Sequence, residues 1–217
     1  MPRLGMVIDL QKCIGCYACV VACKQEHFLP PNVFWGRLVI SETGRYPMVR
    51  KIMYPVLCNH CEDAICIKVC PTGATTKAEN GIVVIDYNKC VGCRYCLVVC
   101  PYQQRTYYAN GDEQYFPGQE ITELEIIGKK LYPLQERTVI KCNFCVERID
   151  KGTRRGLKPG VDREATPACV NICPAKARYF GDLDDPFSEV SKLLKEKKAY
   201  QLHPEFGTNP SVYYIDR

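Results

Sequence analysis

Sixteen cysteines stand among 217 residues, and they fall into four sets of four. The sets are Cys13, Cys16, Cys19, Cys23; Cys58, Cys61, Cys66, Cys70; Cys90, Cys93, Cys96, Cys100; and Cys142, Cys145, Cys169, Cys173. The first and third are spaced C-x2-C-x2-C-x3-C, the second C-x2-C-x4-C-x3-C and the fourth C-x2-C-x23-C-x3-C. Three sets run on into proline, at Pro71, Pro101 and Pro174. No cysteine is left over. Disulfide frameworks of this density belong to secreted scaffolds usually under about 80 residues, and they give no reason for a ligand-like spacing to recur. Structural zinc favours two C-x2-C pairs per site, whereas three of these sets hold three closely spaced thiols and a fourth.

The run of three cysteines and a fourth before proline is the spacing of bacterial dicluster iron–sulfur sites, in which the fourth cysteine ligates the neighbouring cluster. That crossover rule predicts four [4Fe-4S] clusters. Cys13, Cys16 and Cys19 take Cys173; Cys142, Cys145 and Cys169 take Cys23. Cys58, Cys61 and Cys66 take Cys100; Cys90, Cys93 and Cys96 take Cys70. All sixteen thiols are then iron ligands. The reading from a different class is a zinc-stabilised binding module.

An internal repeat orders the chain. Val7-Ile8-Asp9 leads into Lys12-Cys13-Ile14-Gly15-Cys16 as Val84-Ile85-Asp86 leads into Lys89-Cys90-Val91-Gly92-Cys93. Each apolar run reads as a short strand feeding a ligand loop. Gly15 and Gly92, lacking Cβ, leave room for main-chain amides beside the sulfurs. Val20, Val21, Leu97, Val98 and Val99 suit short helical turns that bury them. The expected architecture is α+β, with two bacterial-ferredoxin-like dicluster modules, an insertion, and a C-terminal helix plus extended tail. One module is split between residues 1–53 and 139–180, and the other is compact, residues 54–108. Residues 109–138, with turn signals at Asn110-Gly111-Asp112 and Pro117-Gly118, read as an insertion with little regular structure. In residues 181–217, a helix is expected over 186–198. Asp185 would cap it, Pro186 would start it, and Phe187, Val190 and Leu194 would form its apolar face. The tail beyond residue 203 is either folded back on the protein or an arm on a partner.

The formal charge of +5 invites a nucleic-acid reading. Four clusters of about −2 each would instead leave the holo-protein near −3, so no polyanion partner is implied. No apolar run reaches the 18 residues of a membrane span, and the N-terminus lacks an export signal. His27, His60 and His203 have no paired spacing and read as structural or exposed, although His60, between two ligands, is placed to tune a potential. Trp35 and the tyrosines read as packing around the clusters. Arg148, Lys151, Arg154, Arg155 and Lys158 read either as a solvated face or as serving charge compensation or docking. No phosphate loop, nucleophile elbow or HExxH motif is present, so no catalytic residue is expected in the chain itself.

The order of the sets, Cys23-Lys24, Cys58-Asn59-His60-Cys61, Cys70-Pro71-Thr72-Gly73-Ala74 and Gly181-Asp182-Leu183-Asp184-Asp185-Pro186 together resemble a known family. It is the four-cluster iron–sulfur subunit of molybdopterin oxidoreductases, such as dimethyl sulfoxide, polysulfide, thiosulfate, tetrathionate and arsenate reductases. The resemblance covers nearly the whole chain. It implies a non-catalytic electron relay between a molybdenum- or tungsten-pterin catalytic subunit and a quinone-reactive membrane subunit or other redox partner. It further implies that the cluster of Cys13, Cys16, Cys19 and Cys173 lies nearest the catalytic subunit, and that of Cys90, Cys93, Cys96 and Cys70 at the far end. With Cys96 in place, every cluster is expected to be [4Fe-4S] rather than [3Fe-4S]. Co-export with the catalytic subunit would place a membrane-peripheral complex on the periplasmic or outer face; a soluble complex would be cytoplasmic. Alternatives within the same chemistry are a soluble aromatic hydroxylase or transhydroxylase complex, and a formate dehydrogenase or hydrogenase.

Overall fold

A computed structural model describes residues 2–110 and 114–216; the expected Asn110-Gly111-Asp112 turn extends outside the described residues. In chain order the elements are β1 (Leu4–Asp9), α1 (Ala18–Glu26), β2 (Gly36–Arg45), β3 (Met48–Leu57), α2 (Ile65–Lys68), β4 (Thr75–Lys77), β5 (Val83–Ile85), α3 (Tyr95–Val98) and β6 (Thr106–Tyr108). Then follow α4 (Glu123–Leu131), β7 (Thr138–Ile140), α5 (Val146–Arg154), α6 (Ala168–Asn171), β8 (Arg178–Asp182), α7 (Glu189–Glu196), β9 (Ala199–Tyr200) and β10 (Val212–Ile215). The strands form one four-stranded sheet, ordered β8-β1-β10-β9, and three hairpin-like pairs.

β1 is buried along its whole length and carries no polar side chain before its last residue, Asp9, because it lies inside the sheet with both faces covered, the setting in which a strand reads as a continuous apolar run. Leu4, Met6 and Ile8 face the main core with Phe144, Phe180, Val212 and Tyr214. Val7 faces the other way, against Val190 of α7 and Ile215. The repeat seen in the sequence is a repeat of pairing. Arg178, five residues after Cys173, pairs with Ile8. Thr75, five residues after Cys70, pairs with Ile85. Each pair therefore delivers one fourth cysteine and the next ligand loop side by side. Asp9 and Asp86 end the feeding strands, and their main-chain carbonyls accept the amides of Cys13 and Cys90 at 3.2 and 3.1 Å.

The tail is folded back. β10 runs parallel to β1, Met6 opposite Val212, and Tyr214 Oη donates to the Pro55 carbonyl at 3.1 Å. The expected helix is shorter than the pattern suggested. Ser188, whose Oγ accepts from the Ser191 amide at 3.1 Å, caps α7. Asp185 Oδ1 instead accepts from the Phe187 amide in the preceding turn, and Phe187 is 81% exposed.

Two further expectations are corrected. Val21 and Val98 are exposed, at 52% and 78%, since the turns carrying them lie at the surface. The segment expected to have little regular structure contains α4. Thr122 Oγ1 accepts from the Glu125 amide at 3.3 Å while Glu125 Oε2 accepts from the Thr122 amide at 2.8 Å, a complete capping box. Phe28, packed where a Cβ on Gly128 would lie 2.5 Å from its ring, holds this helix against the end of α1. Thr122→Ala should cost about 1 kcal/mol of stability, read as a shift in denaturation midpoint with unchanged cluster content.

Candidate iron–sulfur sites

Each expected foursome of thiols is gathered in one place. Cys13, Cys16, Cys19 and Cys173 line a hollow with Ile14, Leu38, Pro55, Ala175 and Arg178 in its wall. Cys70, Cys90, Cys93 and Cys96 line a second, with Arg105 in its wall. The other two foursomes lie deeper. Burial pushes the Cys61 thiol up to about 12; a hydrogen bond with Thr208 opposes this, and Cys58, Cys66 and Cys100 add to it. Burial raises Cys23 far above the usual thiol value, and Cys142, Cys169 and Cys145 raise it further. The repulsion between these thiols means that they crowd one site in each case.

The ligand loops are shaped for this. Gly15 and Gly92 have φ of +68° and +66°, a left-handed conformation that glycine adopts without strain. A Cβ would also strike Met53 Sδ at Gly15 and the Arg137 carbonyl at Gly92. Burial raises the Cys13 thiol, and the Gly15 amide, directed at its sulfur, works against that rise. At the fourth cysteines, the Ala177 amide donates to Cys173 Sγ at 3.3 Å. Around Cys70 burial is outweighed by the Thr75 amide, the Thr72 hydroxyl and the amides of Thr72 and Ala74, which together hold the thiol below its usual range. Such donors stabilise negative charge on sulfur.

The two modules meet through their second- and fourth-set loops. His60 stacks on Phe144, centroids 3.9 Å apart, so the third residues of Cys58-Asn59-His60-Cys61 and Cys142-Asn143-Phe144-Cys145 lie face to face. Cys58 lies close enough to Cys142 to raise its thiol, which burial alone already pushes up, to about 12. Residues 208–211 lace over this junction. The Ser211 amide donates to the Asn59 carbonyl at 2.8 Å, Ser211 Oγ to the His60 carbonyl at 3.0 Å, and Tyr102 Oη pairs with Thr208 Oγ1 at 2.6 Å. Neighbouring foursomes act on one another in sequence: Cys19 on Cys169, Cys58 on Cys142 and Cys66 on Cys96. Cys16 and Cys93, in the first and last of this series, are exposed, while Cys142 and Cys145 are buried.

The histidines divide. His27 is buried and its Nε2 lies 3.4 Å from Cys145 Sγ. Burial lowers it to about 4, Glu26 opposing that and Arg148 adding to it. It therefore sits beside a ligand as a neutral ring, a placement that spacing along the chain does not reveal. His60 Nδ1 accepts from the Val83 amide at 3.1 Å, and burial holds the ring neutral. Its role at the junction is packing and orientation. His203 is exposed beside Glu205. Trp35 packs on His27 at 4.5 Å. In the basic stretch, Arg148 grips Glu26 through two bonds of 3.0 and 2.6 Å, clamping α5 to α1. Arg155 pairs with Glu164.

The charge inventory shows what these hollows accept. Arg105, Lys141 and Arg178 are all buried, and no carboxylate among the described residues forms an ion pair with any of them. Lys141 Nζ donates to the main-chain carbonyls of Val83 and Cys142. Arg105 Nη2 has no hydrogen-bond partner among the described residues. Buried cations need compensating negative charge, and an iron–sulfur core with its thiolates is anionic. Four thiols, aimed amides and an uncompensated guanidinium fit such a group.

An α+β chain with these four thiol sites is an iron–sulfur protein of the dicluster class. Models described as 4Fe-4S dicluster domain match residues 12–74 and 49–115, and with the sixteen cysteines they fit four [4Fe-4S] clusters. The chain is 39% identical to an arsenate respiratory reductase iron–sulfur subunit of Shewanella sp. (strain ANA-3), over 98% of this chain and 96% of that protein. It is 37% identical to a subunit of sulfite dehydrogenase from Allochromatium vinosum, over 100% and 84%. It is 40% identical to a subunit of selenate reductase from Mesobacillus selenatarsenatis, over 97% and 70%. The chain belongs to the family of iron–sulfur subunits of molybdopterin oxidoreductases.

Proposed function

We propose that the chain relays single electrons between a molybdopterin catalytic subunit and a quinone-reactive membrane subunit or other redox partner. Cys13, Cys16, Cys19 and Cys173 hold the cluster at the catalytic end. Next come Cys142, Cys145, Cys169 and Cys23, then Cys58, Cys61, Cys66 and Cys100, and last Cys90, Cys93, Cys96 and Cys70. A [4Fe-4S] cluster supplies a one-electron redox centre whose potential follows charge, hydrogen bonds to sulfur and exposure. The chain's own residues bind and insulate: thiols ligate, amides and buried cations balance charge, and the aromatic junction keeps water out of the middle. The proposed division is a split module, 1–53 with 139–180, and a compact one, 54–108. Residues 109–138 form an insertion and 181–217 close the sheet. Substrate chemistry lies in the partner, and the compartment is that of the catalytic subunit with which the chain travels.

The observation that carries this reading is a series of four thiol sites, each acting on the next, with an exposed thiol in the first and in the last. Anaerobic isolation with the co-expressed large subunit tests it. The expected product is brown, carries iron and acid-labile sulfide in the ratio of four [4Fe-4S] clusters, and, once reduced with dithionite, is reoxidised by an electron-accepting substrate of the large subunit or, when oxidised, is reduced by an electron-donating one. A colourless protein with stoichiometric zinc and no sulfide would overturn it. Among the described residues no helix is long and apolar enough to cross a membrane, so the proposed anchoring rests on the partner. Loss of sedimentation with membranes when the membrane subunit is deleted is the expected result.

A further inference from the structure

The two buried arginines occupy the same place in the two modules but come from different places in the repeat. Arg178 Nη1 lies 3.7 Å from Cys169 Sγ. Arg178 also lines the hollow of Cys13, Cys16, Cys19 and Cys173, and Cys19 and Cys173 act on its charge. It therefore lies between the two thiol sites of the split module. Arg105 stands in the wall of the hollow of Cys70, Cys90, Cys93 and Cys96, and it acts on Cys66 of the other site in its module as well.

The compact module has Thr75 at the position that corresponds to Arg178, five residues after the fourth cysteine of the preceding set. Arg105 reaches it from the opposite half, five residues after Cys100, and its Nη1 approaches Thr75 Oγ1 at 3.4 Å. One chain has thus supplied a permanent cation to the same gap by two routes. What the two sites share is a charge at a location, not a residue at a repeat position.

We propose that Arg178 and Arg105 are positioning residues of the electron relay. Each sets one fixed positive charge between the two clusters of its module, raising both midpoint potentials and damping repulsion between neighbouring reduced clusters. The proposal rests on the loading of the sixteen thiols with four clusters. Its physical basis is that reduction adds a negative charge, which a buried cation a few ångströms away stabilises strongly where water is excluded. A guanidinium keeps its charge at every accessible pH, so the effect does not titrate away.

The test is a potentiometric titration, followed by EPR, of the full chain isolated anaerobically in its complex. Arg178→Gln is expected to lower two of the four midpoints, each by tenfold or more in the reduction equilibrium, about 59 mV for one electron. Arg105→Gln is expected to lower the other two. Arg178→Lys and Arg105→Lys, which keep the charge, should hold the midpoints near their original values. Because the two pairs must be disjoint, no prior assignment of signals is needed. Unmoved midpoints, a midpoint moved by both glutamine variants, or lysine variants that shift like the glutamine ones would overturn the proposal. If a glutamine variant fails to load its two clusters while the lysine variant loads them, the requirement for charge stands. If both fail, a role of shape replaces it. A wild-type chain without iron and sulfide refutes the relay itself, whereas loaded clusters with unmoved midpoints refute only the role of the arginines.

Discussion

Removing residues 208–217 is expected to abolish the folded protein rather than trim it. β10 is an interior strand of the only four-stranded sheet among the described residues. Val212 and Tyr214 are fully buried and Ile215 is nearly so. Truncating one such side chain to alanine costs about 2–5 kcal/mol, and a whole domain is stable by only about 5–15 kcal/mol. The truncation would also leave the amides of Met6 and Leu10, which donate to Ser211 and Ile215 at 2.9 Å, without partners, and would bare the side of β1. At the same time it would take Thr208 from beside Cys61 and the lacing from the module junction. A chain of residues 1–207 should be insoluble or free of clusters. A soluble, fully loaded truncated protein, judged by iron content and a cooperative melting transition, would show that the junction holds without its tail.

The second large effect tests the exchange of fourth cysteines. Cys100→Ser should damage the cluster of Cys58, Cys61 and Cys66, although Cys100 follows Cys90, Cys93 and Cys96 in the chain. Cys70→Ser should damage the cluster of Cys90, Cys93 and Cys96 in the same way. The reason is spatial: Cys70 lines the hollow of the third set, while Cys100 acts on Cys61. Each variant should lose or convert one cluster of four, seen as an EPR signal that disappears or changes to a three-iron type. Electron flow from the first site to the last should collapse, because an interruption anywhere breaks a series path. If Cys100→Ser spares the second-set cluster and destroys the third-set one, the exchange is refuted.

The site was legible to an unusual degree because metal ligation imposes spacing on sequence. The turn that wraps three thiols round one cluster needs Gly15 or Gly92 in a left-handed conformation and a strand leading in, and both leave local marks. Folding elements with local codes were also legible in kind. The boundary of α7 shifted because Ser188 rather than Asp185 makes the capping bond, and several adjacent residues could have done so. The Thr122–Glu125 capping box was a readable signal for α4 and was outweighed by the turn residues before it. The exposure of Val98 was not readable, since the four-residue α3 has no face long enough to show a period, and in α1 the apolar pair Val20-Val21 does not itself say which of the two is buried.

His27, Arg105, Lys141 and Arg178 mark the other limit. Their burial against thiols is set mostly by residues brought from far along the chain, as His27 is to Cys145, even though Lys141 directly precedes a cysteine. The sequence alone determined a capacity for four clusters, because sixteen thiols in repeated spacing admit few other uses, and it made the exchanged ligand sets and the split and compact modules expectations. Only the tertiary structure decided the order of the sites in space, with buried loops meeting at His60 and Phe144 and exposed thiols in the first and last of the series. It also decided that the tail closes the central sheet and that one buried arginine stands in each module's gap. Those features depend on which long-range pairings close around β1 and between the ligand loops, and such pairings are set by the packing of whole surfaces, which no local pattern encodes.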